Sequence, residues 1–342
     1  MSNSQKFDLA TASRVEIREY LASREIFVAP HAQIRPLTGG VSGAVIRITD
    51  EAQDLIIKQA FAELAVPDEW RADPGRAITE ARGLELFSRM APEHAPQVIY
   101  VDSKECIIVM QAAPSTWQAW KETLLQNGAT DEDLLVGAEL GKSLSAWHEN
   151  TSRPAIFEQF ADDENFRALR SKPFYLDVAD KHPHIRQQIA WLASTLHGEP
   201  ICVVHGDFSP KNILVGPKGQ FWVLDFETAV ASQPVFDVAF MVMHLTLKAL
   251  VSGQNRALEV ARSFLKSYFE HAAPTIPLDE SLLIRHVAVL CLARVDGVSK
   301  VDYLTSATTD FVRVLAISFL TRETPTIDEL WQEVQMRKKA QS

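Results

Sequence analysis

The chain is short of cysteine, of basic charge and of uninterrupted apolar stretches, and each shortage removes a class of protein. Its three cysteines, Cys106, Cys202 and Cys291, lie far apart among aliphatic neighbours. That spacing fits neither a zinc site nor a disulfide framework, and predicts buried free thiols in a reducing cytoplasm. Lysine and arginine number 34 against 44 aspartates and glutamates, a formal net charge of −10. A nucleic-acid partner calls for a basic surface and is not expected. Solvated surface carboxylates account for the acid excess, which is also compatible with a cationic substrate. The longest apolar region, 235–251, is interrupted by Asp237, His244 and Lys248, and residues 1–6 hold no signal-peptide core. Neither a membrane span nor secretion is expected.

What is present is enough apolar residue, 46% of 342, for two lobes with separate cores. Helical spacing predicts an amphipathic helix over 9–24. Alternation then predicts strands at 33–37, 45–48 and 55–58, a helix over 76–90, and a second hairpin from 98–101 and 107–110. Residues 1–111 therefore read as an antiparallel sheet lobe with one inserted helix. Residues 112–342 read as a larger, mainly helical lobe, with Leu140, Leu144, Trp147 and His148 on one stripe of a helix over 131–149, and further helices from Val238, Gln254, Ser281 and Thr326. The fold class is α+β. No internal repeat interrupts it.

The most informative stretch is His205-Gly206-Asp207-Phe208-Ser209-Pro210-Lys211-Asn212, followed by a predicted hairpin and then Asp225-Phe226-Glu227. The hairpin joins 213–215 to 220–224 through the turn Gly216-Pro217-Lys218-Gly219. In an antiparallel pair the start of the first strand lies beside the end of the second, so Asn212 and Asp225 are brought together. Phosphoryl transfer from ATP needs such an amide and carboxylate to hold Mg²⁺ against the phosphates, and a further carboxylate, here Asp207, to orient an attacking hydroxyl and accept its proton. Ser209 and Glu227 are secondary candidates for touching the substrate. His205 is expected to brace the loop through hydrogen bonds, and Asp237 either to cap the helix that follows it or to bond the loop from beneath.

Upstream, Thr38-Gly39-Gly40-Val41-Ser42-Gly43 separates two predicted strands. Its glycines serve either a tight hairpin turn or the approach of backbone N–H groups to phosphate oxygens, with Ser42 adding a hydroxyl. Lys58 ends an aliphatic strand, and Glu80 shares the inward stripe of the 76–90 helix with Ala77, Ala81, Leu84 and Phe87. An inward carboxylate is costly to desolvate without a cation, so Lys58 and Glu80 are expected to pair, with Lys58 reaching the nucleotide phosphates. Far downstream, Arg294-Val295-Asp296-Gly297 ends an apolar helix. The polar groups there either line a substrate pocket, with Arg294 foremost, or follow a helix end set by Gly297.

Taken together this order resembles the aminoglycoside phosphotransferase and choline kinase-like superfamily, small-molecule relatives of the protein kinases. The resemblance covers 34–303 and rests on Leu37-Thr38-Gly39-Gly40-Val41-Ser42, Lys58, Glu80, His205 to Asp207 with Asn212, Asp225-Phe226-Glu227 and Asp237-Val238-Ala239. It implies a two-lobed protein-kinase-like fold, ATP between the lobes, adenine near Met110, Gln111 and Ala112, and an alcohol substrate on the helical lobe. The first lobe is also similar to methylthioribose kinase, at Ile57-Lys58-Gln59-Ala60, Trp70 and 76–84. The chain departs from that branch at Asn212, Phe226 and the lone Arg294. The expected activity is ATP- and Mg²⁺-dependent phosphorylation of a hydroxyl on a sugar-like or amino-alcohol metabolite or an aminoglycoside-type antibiotic. The alternatives are a silent MgATP-binding regulator or a protein kinase, the latter disfavoured by Glu227 and by the short segment 228–236.

Overall fold

The structure is a computed structural model and describes residues 7–37, 43–61, 73–251 and 256–339. The chain divides into two compact units, Met1–Ser115 and Thr116–Ser342, against an expected boundary after Gln111.

In the first unit, helix α1 (Arg14–Ala22) precedes strands β1 (Gln33–Pro36), β2 (Gly43–Thr49) and β3 (Asp54–Ala60). Helix α2 (Arg76–Met90) and strands β4 (Val98–Asp102) and β5 (Ile107–Gln111) follow. The sheet order is β1-β2-β3-β5-β4, with every neighbouring pair antiparallel. Alternation along β3 decides what each face does. Leu55, Ile57 and Gln59 are buried on the face that α1 covers through Ile17, Tyr20 and Leu21. Lys58 points the other way, toward α2. Helix α1 begins five residues later than the periodicity predicted, because a capping box fixes its start: Glu16 N–H donates to Ser13 Oγ, and Ser13 N–H donates to the Glu16 carboxylate. Residues 9–11 instead form a turn tied to the sheet by Leu9 N–H donating to Gln59 Oε1 at 2.7 Å.

The second unit opens with β6 (Gln118–Ala119), α3 (Trp120–Gln126) and α4 (Asp131–Thr151). The short helices α5 (Pro154–Phe157) and α6 (Glu164–Phe166) lead into a π-helix, Arg167–Leu176, then α7 (Asp177–Lys181) and α8 (Arg186–Thr195). Strands β7 (Cys202–Val204), β8 (Ile213–Val215), β9 (Phe221–Val223) and β10 (Val230–Ser232) are all short. Helices α9 (Val235–Val251), α10 (Arg256–His271), α11 (Glu280–Asp296), α12 (Ser306–Thr321) and α13 (Ile327–Lys339) complete the unit. The hairpin read from sequence is present, with Ile213 opposite Val223 and Val215 opposite Phe221. Its turn closes through Gly216 N–H donating to the Gln220 carbonyl, with Lys218 in the left-handed region at φ 59°. Strand β8 also pairs with β6, while β7 pairs with β10.

The apolar run at 235–251 is explained by position: α9 is buried from Val235 to Ala249. It starts three residues before the expected Val238, so Asp237 lies inside the first turn and is not the N-cap. Among the described residues no helix is long and apolar enough to cross a membrane. Cys202 and Cys291 are buried free thiols, whereas Cys106 is partly exposed in a turn at φ 54°, which corrects the expectation for that residue.

Helices α4 and α10 bring their backbones together at Gly141, where a Cβ would overlap the carbonyl of Phe264. The close approach is what lets α10 shield α4. We expect Gly141→Ala to cost about 1–3 kcal/mol, the range for overpacking a filled interior, despite the higher helix propensity of alanine. Urea unfolding checks it, and an unchanged midpoint would show that the crossing tolerates a methyl group.

Candidate active site

The catalytic-loop candidates are assembled by backbone geometry in the second unit. Strand β7 ends at Val204, and Gly206 follows at φ 78°, where a Cβ would also meet Thr228; only glycine adopts this region without strain. Beneath the loop, the Asp237 carboxylate is 0% exposed and accepts from His205 N–H at 2.6 Å and Gly206 N–H at 2.9 Å. Its Oδ2 also meets His148 Nε2 at 3.3 Å, and His148 Nδ1 meets the Tyr268 hydroxyl at 2.9 Å. Of the two roles read for Asp237, the structure therefore has the loop brace.

His205 joins the two halves of the motif. Its Nδ1 accepts from Asp207 N–H at 3.1 Å, which leaves the proton on Nε2, donated to the Leu224 carbonyl at 3.0 Å. Burial holds the imidazole below its ordinary pKa, although Asp237, Asp207 and Asp225 pull the other way; the ring is neutral and structural. Asn212 donates from Nδ2 to the Asp207 carbonyl at 3.1 Å, and its own carbonyl accepts from Leu224 N–H at 2.9 Å. Asp207, Asn212 and the residue before Asp225 are thus tied into one hydrogen-bonded loop. Asp225 itself sits at φ 70°, a conformation that costs a non-glycine residue about 1–3 kcal/mol and clusters at functional sites. Phe226 anchors the segment, its ring 4.2 Å from that of His205 and 5.4 Å from that of Trp147. Ser209 and Glu227 are both buried, and the Ser209 carbonyl accepts from Asn212 N–H. Asn212 and Asp225 offer a hard-oxygen donor pair, one amide and one carboxylate, the chemistry Mg²⁺ selects when phosphates and water supply its remaining ligands.

One functional candidate was absent from the sequence reading. Arg170, on the π-helix, places Nη2 2.9 Å from Asp207 Oδ2 and donates from Nε to the Gly206 carbonyl at 2.5 Å. Asp207 Oδ1 has no hydrogen-bond partner among the described residues. A lone arginine in a segment without clean helical period, far from the motif in sequence, leaves no local signal.

In the first unit Lys58 and Glu80 pair at 2.7 Å, with Glu80 only 2% exposed. Met110 and Ala112 are buried and Gln111 is exposed at the end of β5, where Ala112 N–H donates to the Asp54 carbonyl. Gly43 begins β2, and a Cβ there would overlap the Gln59 carbonyl of β3; close strand approach accounts for this glycine. Gly39, Gly40 and Ser42, like Trp70, lie outside the described residues.

Arg294, near the end of α11, makes its direct contacts with neutral groups. It donates to Ser299 Oγ at 2.8 Å, to the Ser299 carbonyl at 3.0 Å, and to His244 Nε2 at 3.0 Å, and its guanidinium lies 4.8 Å from the Phe174 ring and 5.5 Å from the Phe240 ring. Burial lowers it to about 10, with Asp207 the largest opposing influence. Burial and the cation Arg294 hold His244 well below its usual range. One turn further along α9, the Lys248 ammonium lies 5.5 Å from the Tyr303 ring.

Against known proteins, residues 33–271 match the phosphotransferase enzyme family. No curated protein sequence matches the chain. Solved structures share its fold. Macrolide 2′-phosphotransferase MphH from Brachybacterium faecium is 18% identical, with a TM-score of 0.52 over 90% of this chain and 99% of that one. The streptomycin–ATP–APH(2″)-IIa ternary complex is 15% identical, with a TM-score of 0.50 over 91% and 96%. Choline kinase LicA from Streptococcus pneumoniae is 13% identical, with a TM-score of 0.50 over 90% and 99%. The fold is that of the kinase-like phosphotransferases. The chain belongs to the phosphotransferase enzyme family.

Asp237→Ala would strand two buried N–H groups, and we expect a loss of about 3–5 kcal/mol, the cost of removing one partner from a buried charged network, read by denaturant titration. Lys248 gives a pH prediction. Burial, followed by Lys121 and Arg294, pulls its ammonium from 10.5 down to about 7. The unfolded chain therefore binds this proton more tightly than the folded one between those values, and the Lys248 contribution to stability rises as pH is raised from about 7 toward 10.5. Unfolding midpoints of wild type should gain on Lys248→Met over that window; parallel profiles would contradict it.

Proposed function

We propose that the protein is an ATP-dependent kinase that phosphorylates a hydroxyl group of a small molecule. Asp207 takes the proton of the acceptor hydroxyl as its oxygen bonds to the γ-phosphorus and the bond to the ADP oxygen breaks. The observation that carries this reading is the hydrogen-bonded loop that holds Asp207, Asn212 and the Asp225 segment together, with Asp207 Oδ1 left for an incoming hydroxyl. Arg170 is a positioning residue: by fixing Oδ2 and the Gly206 carbonyl it sets the direction of the carboxylate.

Asn212 and Asp225 would hold Mg²⁺, which would supply neutralisation of phosphate charge. Lys58, oriented by Glu80, bonds nucleotide phosphates, Gly39, Gly40, Ser42 and Gly43 are assigned to phosphate binding from their sequence pattern, and Met110, Gln111 and Ala112 are assigned to the adenine. The aminoglycoside and choline phosphotransferases of like fold support a small, soluble acceptor. Ser209, Glu227 and Arg294 are assigned to its side of the site.

A coupled ADP-release screen over sugars, thiosugars, amino alcohols, hydroxy acids, sugar phosphates and aminoglycosides tests the reaction. Asp207→Ala should lower turnover by about 10²–10⁴-fold, the contribution of a positioned general base, while MgATP binding by calorimetry persists. Turnover retained in that variant would remove Asp207 from the mechanism.

A further inference from the structure

The second unit contains a chain of cations that leads away from Asp207 and has too few acids to balance it. Asp207 pairs with Arg170. Four residues along the π-helix, Phe174 carries the Arg294 guanidinium on its ring. Arg294 bonds His244, and one turn of α9 further on stands Lys248, beside the Tyr303 ring. Lys248 is only 2% exposed, yet among the described residues its ammonium has neither a hydrogen bond nor a carboxylate within ion-pair distance. The four residues after α9, Ser252 to Asn255, contain no acid. Two more polar groups share the defect: Arg294 Nε and the Tyr303 hydroxyl are buried without a hydrogen-bond partner among the described residues. Lys121 and Lys211 add positive potential, against which Glu122, Asp207 and Asp302 stand as carboxylates.

Burying a charge without a partner is costly, and Lys248, Arg294 Nε and the Tyr303 hydroxyl, each left without a hydrogen-bond partner among the described residues, are complementary to an acceptor-rich anion. In a chain with a net charge of −10, this concentration of cations is not a by-product of composition. The geometry points to an acceptor molecule that carries, besides its hydroxyl, a carboxylate or phosphate group received by Lys248, Arg294 and the Tyr303 hydroxyl. This deepens the kinase reading and rests on it. Polycationic aminoglycosides would meet the same cations as repulsion. The aromatic rings of Phe174 and Phe240 shield Arg294 from water, which strengthens its attraction for an anion.

The test uses the full chain in two arms. In the first, ADP release is measured over matched acceptors offered as the neutral polyol, the corresponding carboxylate and the corresponding phosphate, with kanamycin as the polycation. We expect kcat/KM for one of the anionic forms to exceed its neutral counterpart by at least about 10-fold, the order of one hydrogen bond to a charged group. Lys248→Met should erase that preference through KM, with kcat changed far less. Preference for the neutral or polycationic acceptor, or a preference untouched by Lys248→Met, overturns the inference. Whether carboxylate or phosphate ranks first identifies the anion.

The second arm does not need turnover. Inorganic phosphate and acetate are added to wild type and to Lys248→Met, and thermal unfolding is followed. Wild type should be stabilised by at least one of the two anions, and Lys248→Met should melt at or above wild type without anion and gain nothing on its addition. Equal response of the two proteins overturns the inference. Failure to bind MgATP, with no acceptor phosphorylated, would instead sink the kinase reading while the anion response still reads out this pocket.

Discussion

The candidate site depends on one buried carboxylate. Asp237 has no contact with water, and an isolated charge at that depth would be prohibitive. It is tolerated because two consecutive backbone N–H groups, of His205 and Gly206, converge on its two oxygens while His148 meets one of them. The relation is mutual. The N–H groups are free to converge only because Gly206 turns through the left-handed region, and the turn is held only because the carboxylate waits beneath it. Everything that follows, from the His205 link to Leu224 to the Asn212 link to Asp207, inherits its position from this clamp. The loop is preorganised within the second unit, as the Lys58–Glu80 pair is within the first.

How much of this was legible in the sequence follows from how local each signal is. The β8–β9 hairpin was readable because four turn-forming residues sit between two apolar runs, and α2 because Ala77, Glu80, Ala81, Leu84 and Phe87 keep helical spacing. The start of α1 was missed, since the capping box at Ser13 and Glu16 overrides a periodicity that continues upstream. Strands β7 and β10 are three residues each, too short for alternation to register. Asp237 could be read as cap or brace from sequence; what decided it was the helix start at Val235, a boundary that apolar periodicity does not mark in a helix buried on all sides.

The charge distribution separates two scales. A net charge taken over the whole chain describes the solvated surface, where acids predominate, and says little about an interior pocket in which a few residues set the field. Lys248 occupies a position on α9 where every neighbour along the helix is apolar or neutral, and it is this local setting that pulls its proton affinity down. In the sequence Asp237, His244 and Lys248 are alike, polar interruptions that disqualify a membrane helix. In the fold they divide into two functions: Asp237 is fully satisfied by backbone donors, whereas His244 and Lys248 face cations.

The π-helix ties these two groups together. Its wider turn, closed by i→i+5 hydrogen bonds, is less stable than an α-helix and recurs where function maintains it; here ten residues keep it, with Pro173 inside. A proline removes one N–H from the hydrogen-bond ladder and disfavours regular α-helix, so the segment is free to take the wider form. The result places Arg170 on Asp207 and Phe174 under Arg294. An arginine in direct contact with the proposed base aims that carboxylate, but it also occupies one of its two oxygens. An acceptor hydroxyl is left with Oδ1 alone, so the direction from which it arrives is fixed by the same segment that presents the neighbouring cations. Under the proposed function, orientation of the base and selection of the acceptor are two consequences of one irregular helix.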